Sequence, residues 1–127
     1  MKLVLDSSVV IDQLRGHPGA TNLIEDRVRS GDQLWGVVIT RAEVLAGMWP
    51  AEREATMRLF DVMSWLDIDV DMADDAASMV RLHRASHQGL QLADCLIAAG
   101  VRRLGAVLLT QNVRHFPMFK GLARAYE

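Results

Sequence analysis

Leu3-Val4-Leu5-Asp6-Ser7-Ser8-Val9-Val10-Ile11 opens the chain with an apolar run, one acid, two hydroxyl residues and a second apolar run. The first run has strand length and the Asp-Ser-Ser after it has the composition of a helix start. Three further runs have the same length and β-branched content: Trp35 to Ile39, Leu66 to Val70 and Ala106 to Leu109. Between them lie stretches of helical period. Ala20 to Arg29 carries Leu23, Ile24 and Val28; Glu52 to Trp65 carries Leu59, Phe60, Val62 and Met63. Met72 to His87 carries Ala76, Met79, Val80 and Leu82, and Leu92 to Val101 is apolar nearly all round. Strands alternating with helices predict an α/β domain whose short parallel sheet is covered on both faces. Ligands of such sheets bind at the carboxyl edge, where strands give way to helices.

Three acids fall at those places. Asp6 ends the first run, Glu43 lies four residues after Ile39 in a helix beginning near Thr40, and Asp94 precedes the apolar helix Cys95 to Val101. Converging carboxylates raise one another's pKa unless a cation neutralises them. The cation suited to such oxygens is Mg²⁺, which keeps waters and leaves positions for phosphate oxygens. Each acid also has a local explanation. Asp6 can cap a helix, Thr40-Arg41-Ala42-Glu43 fits a capping box, and Asp94 suits the positive end of a helix dipole.

The wording of four segments goes further. The opening stretch resembles the first motif of PIN domains, and Ile39-Thr40-Arg41-Ala42-Glu43-Val44-Leu45-Ala46-Gly47 resembles the second. Gly89-Leu90-Gln91-Leu92-Ala93-Asp94-Cys95-Leu96-Ile97-Ala98-Ala99 resembles the third. The fourth is matched by Leu109-Thr110-Gln111-Asn112-Val113-Arg114-His115-Phe116. The four occur in order across residues 1–127, and the length is similar to that of VapC-type toxins of bacterial toxin–antitoxin pairs. The resemblance implies a single Rossmann-like, three-layer domain with strand order 3-2-1-4, with or without a further edge strand. It implies a Mg²⁺- or Mn²⁺-dependent endoribonuclease, a homodimer, and inhibition by a VapB-type antitoxin. Asp6 and Asp94 match the principal metal ligands and Glu43 the third catalytic acid, with Ser8 and Thr40 as supporting hydroxyls. The fourth motif departs from the commoner pattern. Asn112 and His115 stand where many relatives carry an aspartate, and neither supplies an anionic oxygen. Arg41 and Arg114 are candidates for holding the RNA backbone.

Composition sets the remaining bounds. The 127 residues are 50% hydrophobic and 24% charged, ordinary for one globular domain. No apolar stretch reaches the roughly 18 residues of a membrane span, and the apolar run before Asp6 is too short for a secretory signal. One cysteine allows no internal disulfide and fits a reducing compartment, so a cytoplasmic protein is expected. The net charge is −2, but it is unevenly placed. Six aspartates and no cation lie from Asp61 to Asp75; Arg102, Arg103, Arg114, Lys120 and Arg124 follow with only Glu127 against them. A basic last third can hold a polyanion near an acidic site, although solvated surface is the commoner origin of such runs.

Other signals are weaker. His83 and His87 have i, i+4 spacing without the glutamate or third ligand of a zinc motif. Cys95 suits a buried small residue better than a nucleophile. The period of two in Asp67, Asp69 and Asp71 suggests the solvent side of an edge strand. Asp69 or Asp71 would also be the acceptor of a Mg²⁺-binding phosphoacceptor signalling domain, but such domains want an acidic pair after strand one, where Ser7-Ser8 stands. A haloacid-dehalogenase-type phosphatase would need an aspartate at Ser8. A PIN-like domain that binds or processes RNA without acting as a toxin is the other alternative.

Overall fold

The computed structural model describes residues 1–127. Strand β1 (Lys2–Leu5) is followed by α1 (Ser7–Leu14) and α2 (Pro18–Arg29). Strand β2 (Gln33–Val37) leads into α3 (Val38–Gly47), a 3₁₀ turn (Pro50–Glu52) and α4 (Arg53–Val62). Strand β3 (Ser64–Leu66) leads into α5 (Val70–His83) and α6 (Leu92–Leu104), then β4 (Val107–Leu109) and a 3₁₀ turn (Val113–His115).

The four strands form one parallel sheet in the order β3-β2-β1-β4, as the resemblance implied. No further edge strand forms. The chain beyond β4 contributes only one backbone bond in that direction, from Ala125 N–H to Thr110 O at 3.0 Å.

The central strand explains the layers. Leu3, Val4 and Leu5 are all buried because helices cover both faces. Strand period two then sends them to opposite cores. Val4 joins Val37 and Leu108 beneath Met72, Ala76, Met79, Val80, Ile97 and Val101 of α5 and α6. Leu3 and Leu5 join Leu34 and Leu109 beneath Val9, Val10, Ile24, Val44 and Phe60 of the first four helices.

The connectivity also locates the functional edge. From β1 the chain steps outward to β2 and β3, then returns to lay β4 on the other side of β1. The order reverses between β1 and β4, and the crevice of such a sheet opens at the carboxyl ends of those strands. Asp6 and Thr110 are the residues that leave them.

Several boundaries differ from the sequence expectation. Strand β2 ends at Val37, two residues before Ile39, and α3 begins at once. Thr40 therefore lies inside the helix, its N-cap is Val37 without a side-chain bond, and the Thr40–Glu43 capping box does not form. The third strand is Ser64–Leu66 rather than Leu66 to Val70. The alternating aspartates are not the face of a strand. Asp69 caps α5 by accepting from Met72 N–H at 2.9 Å, and capping outweighs the alternation. Trp65 belongs to β3 rather than to α4; its ring meets Phe60 edge-on at 4.9 Å. Helix α5 stops at His83, so His87 lies beyond it.

Gly100 shows why α6 can lie so close to the sheet. A Cβ there would stand 2.5 Å from Val37 Cγ2 and 3.3 Å from Leu66 Cδ2. Helix propensity alone would make Gly100→Ala stabilising by up to about 1 kcal/mol. Val37 is β-branched and held in the central layers, so it cannot yield cheaply. We predict that packing wins and the substitution destabilises by about 1–3 kcal/mol, measured by urea unfolding.

Candidate active site

Asp6 is the buried centre of the carboxyl edge, with 3% of its surface exposed. It is the N-cap of α1, and its Oδ1 accepts from Val9 N–H at 3.2 Å and from Ser8 Oγ at 2.5 Å. Its Oδ2 accepts from Thr110 Oγ1, which arrives from the end of β4, 104 positions away in sequence. The capping and functional explanations of Asp6 are thus compatible: one oxygen caps, the other is tied across the switch point. Burial pushes the Asp6 carboxyl above its ordinary pKa, and the bonds from Ser8, Thr110 and Val9 pull it back in part.

Glu43 reaches the same neighbourhood from the second turn of α3. Partial desolvation raises its pKa first, then the charge of Asp94, then that of Asp6. Asp94 is the third residue of α6 and accepts from Gln91 N–H at 3.1 Å. Its side chain is 15% exposed and His115 Nδ1 stands 3.4 Å from its Oδ2. Desolvation raises the Asp94 carboxyl and Asp6 adds to the rise, while the Gln91 N–H and His115 oppose it. Glu43 therefore feels the charge of both other acids, and Asp94 that of Asp6. No lysine or arginine is among the groups that offset them.

The remaining candidates divide. Ser8 holds Asp6 and also accepts from Gln111 N–H at 3.1 Å. Thr40 is fully buried one turn before Glu43, and its hydroxyl has no protein partner; it bonds to none of the acids. The second hydroxyl on Asp6 comes from Thr110, which the sequence did not single out. Its signal was available: a hydroxyl residue directly after the strand that borders β1. Asn112 is exposed, its backbone N–H donating to Thr110 Oγ1 at 2.9 Å. Arg114 is exposed on the turn after β4. The Arg41 guanidinium lies over the rings of Phe60, at 4.8 Å, and Trp65, at 5.3 Å.

Other signals resolve without a site. His83 and His87 meet edge-on at 5.7 Å, with no further ligand. Cys95 is buried, and burial pushes its thiol up, away from the reactive thiolate. Asp69 is exposed and held low by Arg103, so the third strand ends in a cap and an ion pair rather than a phosphoacceptor pocket.

The donor set suits a hard divalent cation of the kind that takes a few carboxylates and keeps its waters. No three Asp, Glu, His or Cys side chains stand close enough together to form a ready-made metal-ligand set. The fit to such a cation rests on carboxylates that no lysine or arginine offsets, with the unpartnered Thr40 hydroxyl one turn from Glu43.

Comparison with known proteins agrees with this geometry. The chain matches the PIN domain family over residues 3–121. It is 37% identical over 126 residues to Ribonuclease VapC19 of Mycobacterium tuberculosis, covering 99% of this chain and 100% of that protein. Among solved structures, a toxin-antitoxin complex from Klebsiella pneumoniae superposes with a TM-score of 0.80 at 23% identity, covering 98% of each chain. VapBC-5 from Mycobacterium tuberculosis superposes with a TM-score of 0.65 at 28% identity, covering 99% of this chain and 95% of that one. The chain belongs to the PIN domain family, on its VapC ribonuclease branch.

Two predictions follow from the electrostatics. Raised carboxyl pKa values mean that the metal-free fold binds more protons than the unfolded chain. That stabilising contribution is full below the unfolded carboxylate pKa and is lost as pH rises through the raised folded values. Asp94→Asn should therefore raise the unfolding temperature in chelator at neutral pH, and the gain should shrink as pH falls toward about 4. Thr110→Val removes a donor from a buried carboxylate and should cost about 1–3 kcal/mol in denaturant unfolding.

Proposed function

We propose that the protein is the toxin of a type II toxin–antitoxin pair: an endoribonuclease that hydrolyses RNA phosphodiester bonds with a divalent metal ion, Mg²⁺ or Mn²⁺, at Asp6, Glu43 and Asp94. What supports this is the placement of the three acids at the carboxyl edge of the sheet, where Glu43 is raised by the charges of Asp94 and Asp6 and Asp94 by that of Asp6, with no arginine or lysine to offset them. The 37% identity to a VapC ribonuclease across almost the whole chain supports the substrate class.

In this mechanism Asp6 and Asp94 would hold the ion, with Glu43 as the third acid of the site. A bound ion would supply a Lewis acid for the phosphate and a water of lowered pKa. Ser8, Thr110 and the Val9 N–H hold the Asp6 carboxylate in one orientation, so the cluster does not reorganise when substrate arrives. His115 rests against Asp94, where it can donate to a phosphate oxygen or pass a proton at the leaving oxygen. Antitoxin control by a VapB-type partner belongs to the same proposal, supported by the VapBC-5 likeness, and so does homodimerisation.

The test is cleavage of structured RNA by purified protein, with Mg²⁺ or Mn²⁺ and with EDTA. Asp94→Asn and Glu43→Gln should each lower the rate by roughly two orders of magnitude, and EDTA should abolish cleavage. Undiminished cutting in EDTA, or by both variants, would overturn the metal mechanism. Induction in a bacterial host should arrest growth, and co-expression of the small gene beside it should relieve the arrest. Unaffected growth counts against the toxin.

A further inference from the structure

The cations of the last third of the chain are not equivalent. Arg102 meets Asp75 at 3.5 Å and Arg103 meets Asp69 at 2.6 Å, so part of the basic run is spent on the acidic run of α5. Arg114 and Arg124 have no carboxylate partner. They line, with Gln111, Asn112, Val113 and His115, one open groove of about 410 Å³. His115 links this groove to the acid cluster, its Nδ1 standing 3.4 Å from Asp94 Oδ2.

Arg124 lies on no helix or strand, and its position depends on a clasp around the residues after it. Ala125 N–H donates to Thr110 O at 3.0 Å. The Gln111 side chain then imitates a neighbouring strand: its Oε1 accepts from Tyr126 N–H at 3.2 Å and its Nε2 donates to Tyr126 O at 2.9 Å. Tyr126 OH donates to Asp12 Oδ2 at 2.6 Å, and its ring packs against His17, at 5.1 Å between centroids. Gly19 leaves room for that ring, since a Cβ there would stand 2.8 Å from Tyr126 Cδ2. An arginine on a loose segment must lose backbone freedom when it binds; here the clasp has already ordered the residues next to it.

We propose that the Arg114–Arg124 groove is a phosphate subsite, taking an RNA backbone phosphate next to the one at the acid cluster, with Gln111 as the positioning residue for Arg124. The subsite rests on the ribonuclease function proposed above. Guanidinium groups suit phosphate oxygens, and no Phe, Tyr or Trp lines the groove as a platform for a base. The contact therefore adds affinity without reading sequence.

The experiment is steady-state cleavage of the same structured RNA, labelled, with Mg²⁺, at salt from about 50 to 200 mM. For Arg124→Ala the effect should fall on KM, a rise of roughly 3- to 10-fold at the low-salt end, and its salt dependence should flatten by about one phosphate contact. Arg124→Lys should recover part of the loss, and both variants should unfold at the parent's temperature. Gln111→Ala keeps the backbone N–H that meets Ser8, so it should raise KM in the same way. Combined with Arg124→Ala it should add nothing further. A KM and salt dependence unchanged in Arg124→Ala, while the parent cleaves, overturn the subsite alone. Additive effects of the two substitutions overturn the positioning role of Gln111. A parent that cuts no RNA overturns the ribonuclease and the subsite together.

Discussion

A carboxylate buried at the end of the central strand is the constraint around which this molecule is organised. Asp6 cannot stay ionised in that position without donors, and the fold supplies them from both sides. The local turn contributes Ser8 and Val9. The distant contribution, Thr110, exists only because β4 pairs directly with β1. The parallel ladder Leu3–Val107, Val4–Leu108, Leu5–Leu109 thus sets more than sheet order. It places the residue after each strand side by side, so that one caps and charges the site while the other holds it.

The same edge is a place of electrostatic stress. Glu43 and Asp94 are each raised by neighbouring acid as well as by desolvation, and the Gln91 N–H and His115 offset this only in part, at Asp94. Such an arrangement costs stability in the absence of a cation and is characteristic of functional sites, where local optimum and function diverge. Elsewhere the chain does the opposite. The exposed carboxylate of Asp69 is matched by Arg103 and used as a helix cap, and its pKa is lowered. Acids in the same chain thus experience opposite environments.

Much of this was legible in the chain itself. The apolar run before Asp6 could be read because a central parallel strand is buried on both faces and needs no alternation. The apolar helix Leu92–Leu104 could be read for the same reason. The boundaries were less legible. Nothing local says that α3 must start at Val38 rather than Thr40; β2 ends where its partner β3 ends, at the last pair Val37–Leu66. The aspartates after β3 alternate as a strand would, yet a single cap at Asp69 outweighs the pattern, because an unsatisfied helix end costs more than a short edge strand gains.

The sequence by itself determined the α/β class and the order of elements, and singled out the three acids as candidates, because hydrophobic period and residue type act over a few neighbours. Tertiary structure alone decided which hydroxyl serves Asp6 and where the Arg41 guanidinium goes. It also decided that Gln111 and Tyr126 would meet across fifteen positions to hold the segment bearing Arg124. Those partnerships depend on which strand ends lie side by side, and that follows from the packing of the whole sheet rather than from any stretch of it.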